Sequence, residues 1–334
     1  MNPFFSIIIP AFNLEKYIKR AISSVLNQEF QDFEIIIIND GSTDNTSKII
    51  NEFKSYNNIT VITHLLNESL HISRMDGVLA ANGQYILFLD GDDYFAQNAF
   101  NILNDSIKNN QDFDFYEFGY IKQPSGSKVY PSFSGENRFL SYFNNEGFPS
   151  HTIWNKVYKT NLLKISFSMM ERCYINNVED LYESIVISYY LNKTLNIKYI
   201  ITNYSIGTGI STTYKNYKET IEHLQSVKTI FNYIKIFLTK IKQDQNLEAI
   251  DYRFMKFIIE NYIIPQKNEN DMYNLIMKLP DFFDQNSILK YFHFQIENNF
   301  KIINTIEFKL FCKIIKPLRW FKSFLKKNKI TDAD

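Results

Sequence analysis

A chain of 334 residues, 45% hydrophobic and 22% charged, can bury a sizeable core, which excludes a disordered chain and leaves room for one large domain or two modest ones. Its formal charge is zero, yet residues 301–334 carry nine Lys/Arg against three Asp/Glu, while the first 300 carry 27 against 33. A basic end on an acidic body points to a localised anionic partner rather than to nucleic acid.

Read in order, the first hundred residues alternate short apolar runs with amphipathic stretches, the pattern of a parallel sheet covered by helices. Phe5–Pro10 reads as a buried strand, and Asn13 as the cap of a helix over Leu14–Gln28. Glu34–Ile38 is a second strand ending in the turn cluster Asn39-Asp40-Gly41-Ser42, followed by a helix near Thr46–Phe53. Ile59–Thr63 is a third strand, Ile72–Ala81 a helix, and Tyr85–Leu89 a fourth strand running into Asp90-Gly91-Asp92-Asp93. From about Tyr214 the pattern changes to aromatic-rich helical stretches such as Thr220–Lys242 and Tyr252–Ile264. We therefore expect an α/β domain over 1–215. A helical region over 216–334 follows.

The start lacks a basic segment, and no run approaches the roughly 20 apolar residues of a spanning helix, so neither a secretion signal nor a membrane span is expected. Cys173 and Cys312 lie far apart with no Cys or His at ligand spacing, which argues against a zinc site or a disulfide framework and for a reducing setting.

The chemistry-bearing residues fall at strand carboxyl ends, where open α/β sheets bind their ligands. Three carboxylates in Asp90–Asp93 repel one another unless a cation or hydrogen-bond donors offset them, and a hard divalent ion does so. Taken alone the cluster reads equally as a solvated turn. Asp40, after four isoleucines and before Gly41, suits either a nucleoside contact or a turn. Glu179-Asp180 by itself reads as a solvated helix start.

Together these segments resemble the family 2 glycosyltransferases over roughly the first 215 residues. The matching runs are Ser6–Asn13 (SIIIPAFN), Phe33–Asp44 (FEIIIINDGSTD), Ser73-Arg74 with Gly77, Gly83–Asp93 (GQYILFLDGDD) and Val178–Tyr182 (VEDLY). The resemblance implies a GT-A fold over 1–215, Rossmann-like with a mostly parallel central sheet, a nucleotide-sugar half (about 1–120) and an acceptor half (about 121–215), and an inverting transfer from a nucleotide sugar, UDP-hexose or UDP-N-acetylhexosamine. It implies that Pro10, Phe12 and Asp40 contact base and ribose, with Glu15 at the familiar offset. Asn67 and Arg74 would face the nucleotide or its diphosphate. Asp90, Gly91 and Asp92 would form the DXD site, Asp92 the direct ligand of a manganese or magnesium ion, with Asp93 a weaker candidate. Asp180 would be the base that takes the acceptor proton and Glu179 its neighbour, while Trp154–Tyr158 would shape the acceptor pocket. Met75 and Ser69 depart from the family pattern, which usually has Asn and Gly there. No histidine falls in the loop near Thr208–Thr213, where relatives often supply a further metal contact.

Along Phe308–Leu325, Phe311, Ile314, Ile315, Leu318, Phe321 and Leu325 share a helical face, with Trp320 as an interfacial anchor and lysines mostly elsewhere. Such a helix suits an anionic leaflet, at about 1 kcal/mol per basic residue, and equally a terminal helix packed on the protein's own core. The expectation is a cytoplasmic enzyme, peripheral at the inner face of the membrane, acting on lipooligosaccharide, capsule or O-antigen. Alternatives are a soluble protein-modifying glycosyltransferase, or an inactive sugar-nucleotide-binding module.

Overall fold

The computed structural model describes residues 2–133, 137–143, 149–175, 178–191, 193–207 and 217–258. The chain divides into two compact units, Met1–Thr212 and Thr213–Asp334.

The first unit opens with β1 (Phe5–Ala11), α1 (Ile18–Leu26), β2 (Phe33–Asp40), α2 (Thr46–Asn51), β3 (Ile59–His64), α3 (Leu70–Ala80) and β4 (Tyr85–Phe88). It continues with β5 (Tyr94–Phe95), α4 (Ala99–Lys108), β6 (Phe115–Gln123), β7 (Ser127–Val129), α5 (Arg138–Ser141), β8 (Lys156–Lys159), α6 (Thr160–Ser168), α7 (Glu179–Tyr190) and β9 (Thr194–Ser205). One nine-stranded sheet runs β3-β2-β1-β4-β8-β6-β9-β5, with β7 on β6. The strands β3, β2, β1 and β4 are mutually parallel, whereas β8 is antiparallel to both β4 and β6, and β5 to β9. Parallel pairing thus holds from β3 to β4 and gives way to mixed pairing beyond it.

Strands β1 and β2 carry isoleucine runs buried on both faces, as the centre of a sheet covered by helices requires, whereas the edge strand β3 is only partly buried. Ile7, Ile9, Ile35 and Ile37 turn to one core with α1 and α4. Helix α3 closes on the sheet at Gly77, where an added Cβ would lie 2.4 Å from Ile8 Cγ2. Because β2 and β3 lie on one side of β1 and β4 on the other, the strand order reverses between β1 and β4. A reversal of this kind opens a crevice at the strand carboxyl ends.

Helix α1 begins at Ile18, not at Leu14. Asn13 does not cap it. Its backbone is left-handed (φ 53°), and its Oδ1 accepts from the Thr43 amide at 2.8 Å, tying the β1 loop to the β2 loop. The second unit contains α8 (Tyr217–Lys240) and α9 (Leu247–Ile258), where Phe231 stacks on Phe254 at 4.1 Å. Among the described residues, no helix is long and apolar enough to cross a membrane. The expected segment 308–327, the loop near Thr208–Thr213 and the last residues of the stretch expected over Tyr252–Ile264 lie outside the described residues.

Candidate active site

Two loops meet at the sheet reversal. Gly91 follows β4 so closely on the β1 loop that a Cβ there would lie 2.6 Å from Leu14 Cδ1 and 3.1 Å from the Pro10 carbonyl oxygen. The Asp90–Asp93 turn is braced from behind. Ser205 donates from its hydroxyl to the Asp92 carbonyl (2.8 Å) and from its amide to Asp93 Oδ1 (2.7 Å), while Arg20 lies over the Tyr94 ring and also reaches that carbonyl. Burial, with Asp90 next in effect, pushes the Asp93 carboxyl up to about 9, and its Oδ2 is buried without a partner. Asp93 is therefore a protonated support for the turn, while Asp90, a quarter exposed at its side chain, and half-buried Asp92 remain as oxygen donors.

Arg74 is the hub of the site. From the middle of α3, 1% exposed, its Nη1 donates to Asp180 Oδ1 at 2.6 Å and to Glu183 Oε2 at 2.9 Å; Glu179 Oε1 lies at 3.6 Å, and Nη2 stands 3.5 Å from Asp90 Oδ1. Burial opposes the guanidinium charge, yet Asp180, Glu183, Asp90 and Glu179 together hold it protonated far above its ordinary range. Burial likewise pushes Asp90 up to about 6, with Arg74 opposing and Asp92 and Asp180 adding. Glu179 is driven well above the usual carboxylate range by burial, then by Asp180 and Glu183. Anionic groups this close at neutral pH invite a cation or a proton, and the cluster uses one arginine and raised carboxyls to persist.

The remaining expected residues hold the crevice together. The Asp40 carboxylate accepts from His64 Nδ1 (2.6 Å), the Glu68 amide (2.8 Å) and the Ser69 amide (3.0 Å), so it lies at the N-terminus of α3, where the helix dipole favours an anion. Glu15 accepts from both the amide and the side chain of Asn45. Both carboxylates thus brace loops at the strand carboxyl ends. Arg74 lies buried among carboxylates on the floor of the same region. Asn67 accepts from the Tyr174 hydroxyl (3.2 Å), Phe12 is 38% exposed, and Pro10 is buried in β1. The structure thus joins Asp90, Glu179 and Asp180 through Arg74, and holds Asp40 and Glu15 in hydrogen bonds that brace their loops.

Sequence reasoning missed Glu183, His71 and Arg20. The signal for the first two is helical spacing: Glu183 follows Glu179 by one turn on α7, and Arg74 follows His71 on α3. It also missed Tyr120 and Tyr204, the partners that Trp154 finds beside the acid turn. Trp154 stacks on Tyr204 (5.0 Å, 2° between planes), and Tyr120 packs edge-on against Trp154 at 4.7 Å. Burial raises the Tyr204 hydroxyl, and Asp93, Asp90 and Asp92 add to the effect. Lys156, expected at the acceptor pocket, is buried against Glu117 (3.4 Å) and lowered to about 8, chiefly by burial.

Among the described residues, no group of three or more His, Cys, Asp or Glu is arranged to enclose a metal ion. The donor set that Asp90 and Asp92 offer, hard oxygens on part-exposed side chains, fits a divalent ion that completes its shell with substrate oxygens and water.

A sequence model described as glycosyl transferase family 2 matches residues 6–172, half of the chain. The chain belongs to this family. Among curated relatives, the glycosyltransferase EpsJ of Bacillus subtilis is 37% identical over 142 residues, which are 42% of this chain and 41% of EpsJ. The poly(ribitol-phosphate) beta-glucosyltransferase of Bacillus spizizenii is 40% identical over 98 residues, 28% of this chain and 16% of that protein. The chain thus covers less than two thirds of these relatives. Residues 1–349 of S. aureus TarS, solved with UDP-GlcNAc, superpose with a TM-score of 0.61 at 18% identity, over 98% of this chain and 92% of that one. The likeness to TarS is one of fold, and the family 2 domain here shares its mixed sheet with flanking helices.

Proposed function

We propose that this family 2 protein is an inverting, metal-dependent glycosyltransferase. It moves a sugar from UDP-hexose or UDP-N-acetylhexosamine to a hydroxyl of a bacterial surface glycan or lipid-linked oligosaccharide. The observation that carries the reading is the Arg74 hub: one buried guanidinium spans the Asp90 side and the Asp180 side of the crevice. In-line displacement needs base and leaving group on opposite sides of one anomeric carbon, a few ångströms apart.

In this reading Asp180, a fifth exposed at its side chain and held through Oδ1 by Arg74, accepts the acceptor's hydroxyl proton. The acceptor oxygen bonds to the anomeric carbon, and the carbon–oxygen bond to phosphate breaks, its electron pair leaving on the diphosphate. Glu179, whose carboxyl burial and then Asp180 push up to about 8, keeps a proton near neutral pH and so adds no second negative charge beside the base. Asp92 and Asp90 would hold manganese or magnesium, which when bound would offset charge on the departing diphosphate. Phe12, with the backbone of Pro10 and Gly91, lines the nucleoside side. Asn67 contributes from the loop that Asp40 anchors, and Glu15 positions the neighbouring loop. The basic 308–327 segment supports peripheral contact with the anionic inner membrane from the cytoplasmic side, and residues 1–215 and 216–334 serve as catalytic and helical regions.

The test is hydrolysis of UDP-sugars by the purified full chain with and without manganese. We expect metal-dependent release of UDP that Asp180→Asn abolishes while UDP still binds. A wild-type chain that neither binds UDP nor hydrolyses any UDP-sugar overturns the reading.

A further inference from the structure

Beneath the Arg74 hub lies a pair with no place in the reading so far. His71 and Glu183 are both 0% exposed, one turn ahead of Arg74 on α3 and one turn beyond Glu179 on α7. His71 Nε2 faces the Glu171 carbonyl oxygen at 3.1 Å, and Nδ1 faces Glu183 Oε1 at 2.8 Å. A carbonyl oxygen can only accept, so Nε2 carries a hydrogen. Nδ1 and Oε1 then share another, because a bare nitrogen and a bare carboxylate oxygen repel at that distance. Whichever partner holds it, the pair as a whole is uncharged.

That count has a consequence for Arg74. Glu183 Oε2 accepts from Arg74 Nη1 at 2.9 Å and fixes the guanidinium from behind without neutralising it. The positive charge remains for the groups on the crevice side, Asp180 (2.6 Å), Glu179 (3.6 Å) and Asp90 (3.5 Å). We propose that His71 and Glu183 form a neutral positioning pair that aims the Arg74 charge at Asp180 and Asp90, and so sets the rate of sugar transfer. The proposal rests on the reading of Asp180 as the base. Neither residue touches substrate; they act through Arg74.

The test is a double-mutant cycle. His71→Phe keeps a ring of similar size against Phe167 and Tyr182, which pack 6.5 Å and 5.8 Å away, but removes the shared hydrogen. Glu183 then carries a full buried charge that draws Arg74 away from Asp180. The rate of manganese-dependent UDP-N-acetylglucosamine hydrolysis should fall at least about tenfold, as expected when a general base is misplaced, while UDP affinity measured by calorimetry changes less than about twofold. Adding Glu183→Gln to His71→Phe removes the extra charge and keeps an acceptor for Arg74. The double variant should regain at least about threefold of the lost rate, a non-additive result. A purely structural pair predicts instead that rate and UDP affinity fall together in His71→Phe and recover together in the double variant, because relief of the unpaired buried charge restores the fold and not the aim of Arg74.

Wild-type rate in His71→Phe, or a double variant no faster than His71→Phe at equal UDP affinity, overturns the proposal. If His71→Phe does not fold, His71→Asn, which still donates to Glu183, takes its place in the same cycle. A wild-type protein without hydrolysis or UDP binding instead sinks the function proposed above and leaves the pair's geometry standing.

Discussion

In the proposed reading Asp180 receives a proton, whereas Asp92 offers oxygens to a cation. Asp180→Asn is expected to lower turnover by about 10²–10⁴-fold, the usual contribution of general base catalysis, with UDP affinity by calorimetry unchanged. Asp92→Asn is expected to remove manganese dependence instead, so that hydrolysis in the variant no longer responds to added metal. Asp93 differs from both. Its carboxyl, pushed up to about 9 by burial and then by Asp90, is protonated in the folded chain where the unfolded chain has lost its proton, above about 4. A raised folded value means that its share of stability, complete below about 4, drains away as pH climbs through about 9. Asp93→Asn carries no such proton and still accepts from the Ser205 amide. Thermal unfolding between pH 5 and 9 should therefore show a flatter decline in the variant than in the wild type.

At the scale of elements, the loop between β3 and α3 is held by two devices. Gly41, at φ 67°, lets the β2 turn pass so near that a Cβ would lie 2.4 Å from the Leu66 carbonyl carbon. Gly41→Ala adds left-handed strain to that clash and is expected to cost about 2 kcal/mol or more in denaturant unfolding, with weaker UDP binding. Asp40 supplies the second device by accepting two amides at the start of α3 and one ring nitrogen of His64, whose other nitrogen lies 3.0 Å from Asp76. The same reasoning explains why Asn13 failed as a helix cap. Its side chain had nearer donors in the β2 loop, at Thr43 and Asp44, than in its own helix. Capping is inferred from neighbours in sequence, and here tertiary neighbours won.

For the whole molecule, nucleotide binding and folding are linked. A donor that binds only the folded state stabilises it by about 2.7 kcal/mol at a hundred times its dissociation constant, so a thermal-shift series over UDP-, GDP- and dTDP-sugars with manganese should rank the donors. The basic segment 308–327 makes a separate prediction. Full-length protein should sediment with anionic vesicles at low salt and release at high salt, and removal of residues 308–334 should abolish the effect while UDP-sugar hydrolysis persists.

Periodicity and turn chemistry are local properties, which is why β1 to β4 and their terminal Pro10–Asn13, Asp40 and Asp90–Asp93 turns could be placed from sequence alone. Isoleucine runs specify buried parallel strands, and parallel strands align their carboxyl ends at one edge. Mixed pairing across β8, β6 and β9 was not legible in the same way, because short strands separated by long segments carry no signal for their partner. Least legible was the hub. Arg74 and Asp180 are 106 residues apart, His71 and Glu183 are 112 apart, and each alone reads as a charged residue on a helix. Only packing that buried them together obliged every charge to find a counter-charge or a proton, since leaving one unpaired in the interior costs several kcal/mol. That obligation, and not any local pattern, turned two helical faces into one site.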